Sequence, residues 1–152
     1  MLNSFFNIFQ NENSDEKFKN NDSELTVVAG LLIEAASIDG VVDKSEIMNI
    51  ENSISDFFNI DLKKSNNIVK NCLENINNSN SFHFYTSQIN SFFEYEKKIK
   101  IIEILWEVVL ADGKIHDYES SLIRRLTGLL YIKDFDSGNA KKKVLEKINK
   151  NL

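Results

Sequence analysis

The chain has 152 residues and 17.5 kDa, a size that suits one domain, and its 42% hydrophobic and 27% charged content excludes wholesale disorder. Eighteen basic residues against 23 acidic ones leave a net charge of −5, which excludes nucleic acid as a main partner, since phosphate binding needs concentrated positive charge. With no proline and only five glycines the chain favours uninterrupted helices over a turn-rich β fold. No apolar run reaches the ~18 residues of a transmembrane segment, and the N-terminus has neither a basic region nor a long apolar stretch, so no secretory signal is expected. Cys72 has no second cysteine to pair with, which fits a reducing compartment; a cytoplasmic location is expected.

In chain order, Leu2, Phe5, Phe6 and Phe9 have the spacing of a short amphipathic helix. Residues 11–22 are polar without a period and read as a linker, so 1–22 is set apart from a domain over 23–152. Residues 23–38 are apolar almost all round, the pattern of a helix buried on several sides, and stop at Asp39-Gly40. A helix from Asp43 to Phe58 follows, opened by Asp43 and Glu46 in a capping-box spacing. Asp61 opens a third helix, with Cys72 on its apolar stripe as a buried, inert thiol. Beyond a loop over 75–81, an aromatic helix spans 83–93 and a long one runs to Ala111, apolar after Ile99, with Trp106 in the core. Helices from Asp117 to Tyr131 and from Asp136 onward complete the chain, the last with Lys141, Lys142, Lys143, Lys147 and Lys150 towards solvent. No stretch alternates as a strand would, and the fold class is all-α, a compact bundle.

The segment LIEAASIDGVVDKSE at 32–46 recurs as LWEVVLADGKIHDYE at 105–119. Each copy is a buried helix, an Asp-Gly turn and an acidic helix start, which suggests an internal duplication. The spacing resembles the second half of an EF-hand loop. In that register Ala35 and Ser37, or Val108 and Leu110, stand where the first ligands belong, so an EF-hand is rejected. Two readings of the acidic residues remain. Carboxylates at a helix start bind free amides and favour the positive end of the macrodipole. Alternatively, Asp39, Glu46, Asp112 and Glu119 converge from the two copies on a divalent cation, for which hard oxygen ligands are suited.

These paired segments resemble the tellurite-resistance TerB family. The tract from FYTSQIN at 84–90 through LWEVVLADG to YESSLIRRLTGLL at 118–130 resembles its uncharacterised bacterial branch, with Val109 where that branch usually has a small residue. The resemblance covers about residues 25–148. It implies an all-helical fold of about seven helices, a link to tellurite resistance and stress, and metal binding by the acidic signature, which falls on Asp39, Glu46, Asp112 and Glu119.

Other candidates are weaker. His116 lies near Asp112 and Glu119, but the first copy has Asp43 at its place, so an exposed turn histidine is the better reading; His83 reads as packing or surface. Arg124 and Arg125 suit helix-face ion pairs. No phosphate loop, nucleophile elbow or HExxH is present, and the chain is not expected to be an enzyme. The expected function is a divalent-metal-binding accessory or scaffold. The alternative is a metal-independent interaction module, acting on a protein partner or as a homodimer through the Phe-rich N-terminus or the acidic face.

Overall fold

The structure, a computed structural model, describes residues 16–39, 42–75, 81–111 and 117–150, with side chains from Asp22 onward and that of Asp39 excepted. Leu2, Phe5, Phe6 and Phe9 lie outside the described residues. Seven α-helices follow one another: α1 (Glu16–Ala36, continued by a 3-10 turn at Ser37–Asp39), α2 (Lys44–Phe58), α3 (Leu62–Glu74), α4 (Phe82–Phe92), α5 (Tyr95–Val109), α6 (Asp117–Leu129) and α7 (Asp134–Lys150). No strand occurs among the described residues, and none of their helices is long and apolar enough to cross a membrane.

α1 begins before the apolar run that announces it, so residues 16–22, expected as linker, form its first turns. Adding a residue to an existing helix gains a hydrogen bond without a new nucleation cost, so the helix extends into a segment with no apolar period. In its apolar part Leu25, Val27, Val28, Ala29, Leu31, Leu32 and Ile33 are at most 1% exposed. α2, α3, α4 and α5 surround it. The second apolar helix, α5, also packs on α2, α6 and α7, and α4 reaches α6. Trp106 is buried on α5, and Lys141 of α7 sets its Nζ 5.1 Å from the ring centroid, so this lysine is half-buried rather than turned to solvent.

Side chains close the helix ends where polar backbone groups would otherwise lack partners. The Asp43, Asp61 and Ser81 side chains accept from the amides of Glu46, Lys64 and Phe84 at the starts of α2, α3 and α4. Asn59, in the left-handed conformation with φ 53°, ends α2. The end of α6 uses a device that local patterns do not announce. Lys98 Nζ, nearly buried, donates to Leu130 O at 2.8 Å and to Asn90 Oδ1 at 3.2 Å, while Asn90 Nδ2 donates to Leu129 O at 3.0 Å. A cation is thus held against the negative end of a helix.

At Gly30 α1 comes close to α4. A Cβ there would lie 2.6 Å from Cε1 of Tyr85, whose ring is itself buried and has little room to retreat. Gly30→Ala should therefore destabilise the protein by about 1–3 kcal/mol in urea unfolding. Combining it with Tyr85→Leu should give a loss smaller than the sum of the two single losses, and strict additivity would show that the ring is not the obstacle.

Candidate functional site

The C-terminal ends of α1 and α5, the two buried helices, lie beside the starts of α2 and α6. Between them is a cavity of about 80 Å³ whose apolar wall includes Ala36, Ile38 and Val109 and whose polar wall includes Asp43, Glu46 and Glu119. Glu46 stands in the first turn of α2 and Glu119 in the first turn of α6, and both are half-buried. Two glutamates that are 73 residues apart in the chain therefore share one small space. Each also sits at the positive end of its helix, which favours a negative charge there.

Asp43 has a different task. Its Oδ1 accepts from Glu46 N at 2.8 Å and from Ser45 Oγ at 2.7 Å, and Asp43 is exposed. The amide of Glu46 and then the hydroxyl of Ser45 hold its carboxyl below the usual range by hydrogen bonds to the charged form. It is the N-cap of α2, as the sequence spacing implies. Glu107, also shared by the two segments, is structural: Ser53 Oγ lies 3.5 Å from its Oε2, and Lys147 Nζ lies 3.3 Å from its Oε1, joining α2, α5 and α7.

Of the four carboxylates singled out in the sequence, Glu46 and Glu119 come together at the cavity. The side chains of Asp39 and Asp112 lie outside the described residues, as does His116. Among the described residues no group of three or more His, Cys, Asp or Glu side chains is set to hold a metal ion. The two glutamates supply hard oxygen donors of the kind that Mg²⁺ and Ca²⁺ take, but too few for a full coordination sphere by themselves. His83, Arg124 and Arg125 are exposed. Cys72 is buried with its thiol pushed up to about 12, first by loss of water and then by the negative charge of Glu34, and is inert at neutral pH.

The family model described as Tellurite resistance protein TerB matches residues 25–142. No curated protein and no solved structure matches the chain. The matched span runs from α1 into α7 and includes both acidic helix starts.

Because the pKa of Asp43 is depressed by folding, the stability it contributes is present above its unfolded value, ~3.9, and is lost as pH falls through the folded one. Asp43→Ala should lower the urea midpoint at neutral pH. The gap between mutant and wild type should close as the pH is taken below 4, where the wild-type carboxyl gains its proton. A gap that persisted unchanged into acid would mean that the charged cap is not its source.

Proposed function

The chain belongs to the TerB family, and on that premise we propose that it is a divalent-cation-binding accessory or scaffold protein of a tellurite or stress response, without catalytic activity of its own. Glu46 and Glu119, which line the cavity, would be two of the ligands, and Asp39 and Asp112, each seven residues before one of them in the sequence, would complete an all-carboxylate donor set. The observation that carries this reading is the convergence of two first-turn glutamates from distant parts of the chain on one cavity.

Two carboxylates held in one small space repel each other unless a cation or a set of donors offsets the charge. The first turns of α2 and α6 supply part of that offset through their dipoles. A bound divalent cation would add to that offset and tie the two helix starts together. Asp43, engaged with the Glu46 amide, keeps the first turn of α2 in place so that the Glu46 side chain is presented from a fixed backbone.

The full chain, freed of metal by chelator, should be titrated with Mg²⁺, Ca²⁺ and Zn²⁺ by calorimetry and thermal unfolding. The ion that binds should add roughly 2.7 kcal/mol at 100 times its Kd. Glu46→Gln with Glu119→Gln should abolish that gain, and Asp39→Asn with Asp112→Asn should weaken it. Indifference to all three ions, or a gain that survives the double glutamine variant, would refute the reading and leave the acidic residues as helix-start architecture.

A further inference from the structure

The corner between α6 and α7 and the outer face of α7 are finished in a way that a single chain does not require. At the corner Ile132 N donates to Thr127 O at 3.0 Å and Tyr131 N to Gly128 O at 3.1 Å, the bonding of a helix end whose left-handed residue is usually glycine. Here that residue is Tyr131, with φ 56° and a side chain 78% exposed. Phe135, one turn into solvent beyond it, is 76% exposed, and Leu145 further along α7 is exposed as well. The Tyr131 ring has Lys98 Nζ 5.9 Å from its centroid within the same chain, whereas no core contact explains the exposure of Phe135.

Gly138 is the second unexplained feature. Gly30 has Tyr85 against it, whereas Gly128 in α6 and Gly138 both have open space where a Cβ would stand. Gly138 lies within α7, on its exposed side, and a Cβ there would meet nothing within 4 Å. Glycine weakens a helix relative to alanine, and no described neighbour in this chain needs the space.

The exposed face is arranged evenly about this glycine. Asp134 and Lys142 lie four residues to either side of Gly138, and Tyr131 and Leu145 seven residues to either side. Within the helix Asp134, Lys142 and Leu145 fall on one face, while Tyr131 stands on the left-handed turn before α7; all four residues are exposed. Neither Asp134 nor Lys142 has an ion-pair partner among the described residues, whereas Lys143 and Lys147 are paired with Glu103 and Glu107 of α5.

We propose that this face is a self-complementary interface, in which α7 crosses α7 of a second copy of the chain, antiparallel, at Gly138. A twofold axis through Gly138 sets Asp134 opposite Lys142 of the second copy, a pair that occurs twice, with the exposed Phe135 and Leu145 on the same face of α7. The bare Gly138 backbone lets the helices approach more closely than side chains would allow. A parallel arrangement would set Asp134 against Asp134 and Lys142 against Lys142, so the charges select the antiparallel one. The apolar patch is small beside a standard interface, and the dimer is therefore reversible and concentration-dependent.

Sedimentation of the full chain over about a hundredfold range of concentration, in chelator so that metal bridging is absent, should show a monomer–dimer equilibrium. Asp134→Lys or Lys142→Asp alone should weaken association about tenfold, and the two together should restore it to within about threefold. Gly138→Ala should weaken association while raising the thermal midpoint of the dilute monomer, since alanine favours the helix. A chain that stays monomeric throughout, charge reversals without mutual rescue, or a Gly138→Ala variant that associates like the wild type would each overturn the proposal.

Discussion

A helix with apolar side chains on every side cannot lie on a surface, and from Leu25 onward α1 is such a helix. From Leu25 to Ile33 nearly every side chain needs cover, so α2, α3, α4 and α5 are recruited around it. At about 1.5–3 kcal/mol for each large side chain removed from water, this one element dominates the arrangement. Gly30 follows from it, because a helix enclosed on several sides must let one neighbour, α4, come close. The position of the acidic cavity follows too. A fully buried helix can offer polar chemistry only where it ends, and the cavity lies at the C-terminal ends of α1 and α5.

Around these two helices the polar groups divide their tasks. Asp43 is committed to backbone amides and fixes the start of α2, while Glu46, three residues on, stands at the cavity. Glu107 ties α5 to α7 through Lys147. Asp43 thus caps α2 and also lines the cavity, while Glu46 and Glu119 line it from the first turns of their helices, and the two explanations of the acidic residues that the sequence leaves open are not exclusive.

The α6 end shows a buried charge used for structure. Lys98 loses most of its hydration, but two hydrogen bonds and the negative end of α6 offset that loss. Tyr95, whose hydroxyl bonds Asp136 and accepts from Lys133 N, adds a second tie to the same corner, and that hydrogen bond to Asp136 is the main reason its phenol is raised above the usual range. The corner is held from α4 and α5, and it is from this fixed point that Tyr131 and Phe135 project.

Much of this was legible in the sequence because it is set by local pattern. The all-α class, the two enclosed helices, the caps at Asp43 and Asp61 and the burial of Cys72 and Trp106 each follow from spacing, charge or hydrophobicity within a few residues. The extent of α1 towards Glu16 did not, because polar residues that extend an existing helix carry no pattern of their own. Nor could Lys98 be told from its surface neighbours Lys97 and Lys100, since its partners Asn90 and Leu130 belong to other elements. The meeting of Glu46 with Glu119 and the outward, uncovered position of Gly138 were likewise decided by packing. Local pattern determines which stretches become helices and which sides of them avoid water; which residues then face one another depends on contacts between helices far apart in the chain, and only the tertiary structure contains those.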